Sequence, residues 1–177
     1  MKLIVFDMDE TIGAFTALSK EMMELARHRM HTYAMFKHLV DLNPFFIRPG
    51  MLHILHILIT CRKLMKDVKL VLYTNNPSTP WIQFVVEYLE CQLRHKPLFC
   101  KIIDGNRPSL DKCVADVLKA TKAPKKTPIF FIDDHFHQGM VSNQVFYYQI
   151  PVYRFPDDSD RACVKLQKYL VKFLNLE

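Results

Sequence analysis

Short apolar runs alternate along the chain with longer segments of helical periodicity. The apolar runs have the length of strands that are buried on both faces. They predict four strands, at 2–6, 68–74, 98–103 and 128–133, and a weaker fifth strand at 151–155. Helical patterns occupy 16–41, 51–66, 79–95, 109–122 and 158–175. Strands that alternate with helices in this way predict an α/β fold, a Rossmann-like parallel sheet sandwiched by helices.

The segment between the first two strands is longer than an ordinary crossover. Apolar residues from Leu18 to Leu39 recur at roughly helical spacing, and Asn43-Pro44 ends the pattern. An amphipathic helix packed on the sheet is the simpler interpretation. A small helical flap over the sheet edge, formed by 13–47, is the alternative. The length of 177 residues predicts a single domain, 1–177, with no large cap.

Composition narrows the class of protein. Half of the residues are hydrophobic, which is enough for a core and argues against disorder. The net charge of +6 favours an anionic partner, such as a phosphorylated group, although a basic surface alone explains it equally well. Four lysines between 119 and 126 form a basic run, but no stacking aromatic motif stands beside them. Nucleic acid is therefore the less favoured partner.

Cysteine usage and hydropathy predict the cellular compartment of the protein. The five cysteines are odd in number and form no CxxC pair, so a disulfide framework or zinc knuckle is not expected. The apolar run at 3–6 is too short for a signal peptide. No stretch approaches the roughly 20 apolar residues of a membrane span. We therefore expect an intracellular protein, cytoplasmic or nuclear, with no membrane partner.

Polar side chains collect where the predicted strands end. In an open parallel sheet the carboxyl ends of the strands meet at one edge, and ligands bind there. These ends carry Asp7 and Asp9 on the first strand, Thr74 and Asn75 on the second, Lys112 after the third, and Asp133 and Asp134 on the fourth. One such end could be coincidence, but several at one edge predict a functional site.

The chemistry of these residues is coherent. Several carboxylates held close together raise one another's pKa unless a cation is present, and Mg²⁺ is the cation that suits carboxylates beside a phosphate. Thr74 and Lys112 supply a hydroxyl and a positive charge for an anion. Asp7 and Asp9 are two residues apart, so both can face one pocket, one as nucleophile and the other as acid and base. This set predicts phosphoryl transfer through an aspartyl-phosphate.

The same residues resemble a known family. Asp7-Met8-Asp9-Glu10-Thr11 after one strand, then Thr74, Lys112 and Asp133-Asp134 in order, are similar to the four motifs of the haloacid dehalogenase (HAD) superfamily of phosphatases. Arg48-Pro49-Gly50 before a helix, together with the Asp-x-Asp-Glu-Thr run, resembles the small RNA polymerase II carboxy-terminal-domain (CTD) phosphatases of the FCP/SCP group, which are NIF-like. Those enzymes lack a large cap and act on phosphoserine in the polymerase tail repeats.

The resemblance implies a role for each matching residue. Asp7 is the nucleophile and Asp9 the general acid and base of a phosphoric monoester hydrolase. Thr74, Asn75 and Lys112 bind phosphate. Mg²⁺ is held by Asp7, the Asp9 carbonyl and Asp134, whereas Asp133 orients Lys112, although the two neighbours Asp133 and Asp134 remain alternative metal ligands. The chain departs from the group at Asp133-Asp134, where Asp-Asn is usual, and at Tyr73-Thr74-Asn75-Asn76, where Trp/Phe-Thr-Ala-Ser is usual.

Three functions follow in order of preference. The first is a Mg²⁺-dependent phosphatase for phosphoserine or phosphothreonine in a protein or peptide. The second keeps the chemistry but acts on a small phosphate ester, a nucleotide or sugar phosphate, with 13–47 as a lid. The third, from another class, is an inactive HAD-like binding module. His135 and His137 stand near the site, and the pairs His28/His31 and His53/His56 have helical spacing, but all are interpreted as structural or surface residues.

Overall fold

Five parallel strands form the centre of the molecule in a computed structural model, which describes residues 1–26 and 31–176. The strands are β1 (Lys2–Phe6), β2 (Val68–Tyr73), β3 (Lys101–Ile103), β4 (Ile129–Asp133) and β5 (Val145–Gln149). They lie in the order β3-β2-β1-β4-β5, and every pair is parallel. The chain builds one half of the sheet outward from β1 and then returns to build the other half beside it.

Within the described residues, six α-helices connect the strands and cover the sheet. They are α1 (Phe15–Ala26), α2 (Tyr33–Leu42), α3 (Met51–Leu64), α4 (Thr79–Leu93), α5 (Val114–Thr121) and α6 (Ala162–Leu174). Among the described residues, no helix is both long and apolar enough to cross a membrane.

The sheet buries both of its faces. Ile4 and Phe6 of β1 point into a large apolar cluster to which α1 to α4 and α6 contribute. Leu3 and Val5, which point the opposite way, belong to a smaller cluster with Val117 of α5. Successive side chains of a strand alternate between faces, so a strand covered on both sides is apolar throughout. The predicted α/β fold with a parallel sheet sandwiched by helices is confirmed.

The fifth strand was predicted in the wrong place. β5 is 145–149 rather than 151–155, and it pairs with β4 from Ile129↔Val145 to Asp133↔Gln149. As an edge strand it is only half-covered, and its residues 145–148 favour a strand as much as the predicted run at 151–155 does. Pro151 has no N–H with which to extend the ladder. The chain instead crosses to the end of β1, where the Tyr153 N–H donates to the Glu10 carbonyl at 2.9 Å.

The helix predicted over 16–41 includes residues 27–30, which lie outside the described residues. His28, a member of one histidine pair, is among them. The described parts form two helices, because Thr32 begins α2 by accepting a hydrogen bond from the Met35 N–H at 3.3 Å. Both helices bury apolar residues in the large cluster. That 13–47 acts as a flap or lid stays a prediction.

Two other boundaries differ from the predicted ones. α5 begins at Val114 instead of 109, so Lys112 lies in the loop before the helix. This loop turns at Ser109, whose hydroxyl accepts from the Asp111 N–H at 3.1 Å. β3 covers 101–103 rather than 98–103.

The Arg48-Pro49-Gly50 run joins the β1 loop to the start of α3. Gly50 has φ of 81° in front of α3, a left-handed conformation that glycine adopts without strain. The Arg48 side chain is fully buried, and it donates to the Thr11 carbonyl at 3.1 Å and to the Pro151 carbonyl. Its Nε lies 3.2 Å from an Asp160 carboxylate oxygen. Arg48 therefore ties the loop after β1 to the segment after β5.

Candidate active site

The candidate site lies where the carboxyl ends of β1, β2 and β4 meet. β1 pairs with both β2 and β4, so the sheet changes its direction of growth at β1. In open α/β sheets such a switch point forms a crevice for ligands. A cavity of about 420 Å³ opens there, and six of its lining residues are predicted site residues: Asp7, Asp9, Asn75, Lys112, Asp133 and Asp134. Thr74, the seventh, contacts Asp9 from beneath.

A lysine joins two aspartates at the bottom of this cavity. Lys112 Nζ donates to Asp7 Oδ1 at 2.5 Å and to Asp133 Oδ2 at 2.7 Å. All three residues are buried. Burial and the neighbouring Asp7 raise the pKa of Asp133, while Lys112 opposes the rise. One ammonium group thus holds two buried carboxylates together, which removes much of the cost of burying them.

Asp134 points away from Lys112, to the other side of the β4 end. Its Oδ1 accepts from the Thr11 hydroxyl at 3.1 Å, and its N–H donates to the same hydroxyl oxygen at 3.2 Å. Its Oδ2 is buried and has no hydrogen-bond partner among the described residues. His135 Nδ1 lies 2.7 Å from Oδ2 but outside hydrogen-bonding geometry. Burial, followed by the charge of Asp7, raises the pKa of Asp134.

Asp9 occupies the side of the cavity nearest β2. Burial raises its pKa to about 7, and the charges of Asp7 and Glu10 add to that effect. Thr74 Oγ1 lies 3.5 Å from Asp9 Oδ2, at the limit of a hydrogen bond, and accepts from the Asn76 N–H at 3.0 Å. A carboxyl group that exchanges its proton near neutral pH is suited to act first as an acid and then as a base.

Oxygen ligands for a metal stand on one side of the cavity. Asp133, Asp134 and His135 each offer a ligand atom, and these atoms lie within 4.8 Å of one another. A hard cation such as Mg²⁺ prefers carboxylate oxygens to imidazole nitrogen, so the two aspartates are better ligands for it than His135. The buried Asp134 Oδ2 is an acceptor without a donor, so a cation beside it would satisfy a group that is otherwise costly to bury.

Three residues of the site were missed or given a different role by sequence reasoning. His137 Nε2 lies 3.3 Å from Asp133 Oδ2, and burial lowers its pKa to about 4, so the ring is neutral. Glu10 lines the cavity in a half-buried position. Arg107 binds the carbonyl of Thr74 and the side chain of Asn75. The position of His137 just after β4 was a usable signal, whereas nothing in the sequence marked Arg107.

Lys101, another lysine of the predicted third strand, is exposed at the start of β3. The histidine pairs at helical spacing are not part of a metal site among the described residues. The only cluster of three metal-ligating side chains found there contains neither His31 nor His53 nor His56.

Comparisons with known proteins give little further guidance. Neither a protein-family model nor a curated protein matches this chain. A solved structure that resembles it is a haloacid dehalogenase-like family hydrolase from Xanthomonas campestris, with 12% sequence identity and a TM-score of 0.49, covering 100% of this chain and 99% of that chain.

Proposed function

We propose that the chain is a Mg²⁺-dependent phosphoric monoester hydrolase of the haloacid dehalogenase type, which works through an aspartyl-phosphate on Asp7. The observation that carries the proposal is the Lys112 bridge between Asp7 and Asp133, with Asp9 in the same cavity. A buried carboxylate beside a cation, next to a second carboxyl with a pKa of about 7, is an arrangement suited to nucleophilic catalysis with acid-base assistance.

The acidic side chains fit a bound Mg²⁺. Asp7 and Asp134 would hold it through carboxylate oxygens, together with the backbone carbonyl of Asp9, because both Asp133 oxygens already accept hydrogen bonds, one from Lys112 and one from the His135 N–H, whereas Lys112 binds only one oxygen of Asp7. When bound, the ion offsets the negative charge of the Asp7 carboxylate and the phosphate, which would otherwise repel each other.

The first step transfers phosphoryl to Asp7. A carboxylate oxygen of Asp7 attacks phosphorus, and the bond from phosphorus to the leaving oxygen breaks. Asp9 gives its proton to that leaving oxygen, which departs as an alcohol. Lys112 and Asn75 line the cavity where they can bind phosphate oxygens, and Thr74 lies behind Asp9. Donors placed in advance stabilise the charge that develops on those oxygens.

The second step hydrolyses the aspartyl-phosphate. Asp9, now a carboxylate, takes a proton from water as the water oxygen attacks phosphorus. The bond between phosphorus and the Asp7 oxygen breaks, and orthophosphate leaves. Both carboxyl groups return to their starting states, since the proton lost by Asp9 in the first step is regained in the second.

A cavity beside Asp9 supports a phosphoserine or phosphothreonine peptide as substrate. It measures about 510 Å³, and Phe15, Ser19, Met23 and Trp81 are among its lining residues. Because Asp9 protonates the leaving group, that group lies on this side of the site. The mixed apolar and hydroxyl lining suits a peptide, with RNA polymerase II tail repeats as one candidate.

A small phosphate ester is the second candidate substrate. Helix α1 lines the same cavity and belongs to the segment 13–47, so this segment could act as a lid over a nucleotide or sugar phosphate.

Phosphate release tests the proposal. Wild type, Asp7→Asn and Asp67→Asn are assayed with p-nitrophenyl phosphate, phosphoserine CTD-repeat peptides and a metabolite panel, with Mg²⁺ and with chelator. Asp67 is a matched control, because it is an exposed aspartate just before β2, at the opposite end of the strands. We expect release by wild type and Asp67→Asn with Mg²⁺, and none by Asp7→Asn.

The substrate pattern separates the candidates. Hydrolysis of peptides supports the protein phosphatase, whereas hydrolysis of metabolites alone supports the second candidate. Release from none of these substrates by folded wild type would contradict the proposed function and favour an inactive binding module.

A further inference from the structure

Arg107 is a mostly buried cation beside the proposed phosphate-binding residues, and the proposed reaction does not use it. We infer that Arg107 is a positioning residue: it turns the side-chain amide of Asn75 so that the NH₂ group, and not the oxygen, faces the phosphate. This inference rests on the proposed function for what Asn75 binds. The orientation of the amide itself can be measured without any turnover.

The guanidinium of Arg107 connects two loops of the site. Nη1 donates to the Thr74 carbonyl at 2.9 Å, at the end of β2, and to the Asp104 carbonyl at 2.6 Å. Nη2 donates to Asn75 Oδ1 and, at 2.9 Å, to the Leu110 carbonyl. Leu110 stands two residues before Lys112, so one side chain fixes the β2 end against the loop that carries the site lysine.

The chemistry of arginine determines which way the amide of Asn75 points. A guanidinium carries only N–H donors, so the Asn75 atom that it contacts has to be the carbonyl oxygen. The NH₂ group is then the end of the amide that is available to a ligand. Asn75 lines the cavity that also contains Asp7 and Lys112. In this orientation Asn75 offers a donor to an anion, whereas the reversed amide would offer a repelling oxygen.

The position of Arg107 is itself fixed. Its side chain is 9% exposed, and its guanidinium carbon lies 4.7 Å from the centre of the Tyr73 ring. The backbone of its loop is packed closely on Asn75: a Cβ on Gly105 would lie 2.2 Å from the Asn75 carbonyl oxygen, so only glycine fits. The Gly105 N–H donates to the Asn76 carbonyl at 2.9 Å. Asn75, by contrast, is exposed, and the Arg107 contact is its only side-chain hydrogen bond within the described residues.

A purely structural role for Arg107 is the competing explanation. Three of its contacts go to backbone carbonyls, and those alone could serve to hold the loop. The two explanations differ in one respect: only the positioning role acts on the reaction through Asn75.

A double-mutant cycle separates them. Arg107→Lys, Asn75→Ala and the double variant are compared with wild type in the turnover of p-nitrophenyl phosphate with Mg²⁺. Lysine keeps the charge but lacks the planar pair of Nη groups, so it cannot reproduce the four contacts of Arg107 at once. Arg154→Lys is the matched control, since Arg154 is exposed and lies outside the site cavity. The side-chain amide pair of Asn75 is followed in parallel in ¹H–¹⁵N spectra, where Asn75→Ala assigns it.

We expect Arg107→Lys to lower kcat about 10-fold and Asn75→Ala to lower it by about 10- to 100-fold. In the Asn75→Ala background, Arg107→Lys should change kcat by less than about 2-fold, because its partner is gone. The Asn75 amide signals should move in Arg107→Lys and stay in place in Arg154→Lys.

Independent effects in the cycle, or Asn75 amide signals that Arg107→Lys leaves unchanged, would overturn the inference.

If Arg107→Lys fails to fold, Asn75→Asp replaces it. The carboxylate keeps an oxygen toward Arg107 but presents another oxygen to the phosphate, so folding should persist while kcat falls at least as far as in Asn75→Ala. Retained activity in Asn75→Asp would contradict the positioning role. If wild type itself hydrolyses nothing, the proposed function fails, and the amide signals alone decide on Arg107.

Discussion

Thr11 and Asp134 contact each other through a single hydroxyl that both donates and accepts. The hydroxyl donates to Asp134 Oδ1 at 3.1 Å, and its oxygen accepts from the Asp134 N–H at 3.2 Å. Both residues are buried. With Oδ1 fixed in this way, Oδ2 is directed into the site without a donor of its own. Thr11 thus orients a carboxylate that is proposed to bind Mg²⁺, as groups behind metal ligands commonly do.

Thr11→Val should weaken Mg²⁺ binding by about 10-fold or more, because the carboxylate of Asp134 loses the group that holds it. Thr11→Ser keeps the hydroxyl and should bind nearly as well as wild type. Calorimetric titration with Mg²⁺ measures both affinities. Thr121→Val is the control: Thr121 is also buried, but its hydroxyl donates to the Val117 carbonyl within α5. Equal affinities of wild type and Thr11→Val would contradict the orienting role.

Lys112→Met should destabilise the fold by about 3 kcal/mol or more at pH 8, since two buried carboxylates lose their shared cation. Burial raises the pKa of Asp133, so part of the repulsion disappears by protonation as the pH falls. The loss should therefore be smaller at pH 5 than at pH 8. Urea unfolding at the two pH values measures it. Lys101→Met, at an exposed lysine of β3, should have little effect at either pH.

The sequence predicted the centre of the fold, and it predicted that the candidate site residues lie at one edge of the sheet. β1, β2 and β4 are buried on both faces along most of their length, so their sequences are largely apolar and end abruptly in polar residues. That local signal was enough to predict that Asp7, Lys112 and Asp133 lie at one edge of one sheet. It could not distinguish Asp133 from Asp134. Neighbouring residues at a strand end point in opposite directions, and only the fold shows that Lys112 is on one side and Thr11 on the other.

Features that depend on contacts between distant segments escaped prediction. β5 is an edge strand, and only its pairing with β4 shows that 145–149, rather than 151–155, joins the sheet. Arg107 acts through the approach of two loops, which Gly105 permits, and neither residue belongs to a periodic pattern. The Arg48-Pro49-Gly50 run resembles a family feature, but the sequence does not show what it does physically. Only the fold shows that Arg48 joins the Thr11 backbone to Asp160.

Arg48→Met should lower the free energy of unfolding by about 3 kcal/mol or more, because it leaves the carboxylate of Asp160 buried without its cation. Replacing both partners should cost less than replacing the arginine alone. Urea unfolding of Arg48→Met, of Asp160→Asn and of Arg48→Met/Asp160→Asn provides the comparison. Arg154→Met controls for loss of an exposed arginine. A double variant as unstable as the sum of the two single variants would show that the pair does not interact.

The stability of the metal-free protein should fall as the pH rises from 5 to 8, and Mg²⁺ should reverse the trend. Asp9 has its pKa raised from 3.8 to about 7 by burial and by Asp7, so the folded state holds this proton more tightly than the unfolded chain does. The contribution of Asp9 to the free energy of unfolding is complete below pH 3.8 and is lost as the pH rises through about 7.

Above a pH of about 7 the site carries the additional negative charge of Asp9, which a bound cation offsets. The rise in Tm caused by Mg²⁺ should therefore be larger at pH 8 than at pH 5, as thermal unfolding with and without chelator can show. In Asp9→Asn the metal-free Tm should depend less steeply on pH, and a slope as steep as that of wild type would assign the effect to other groups.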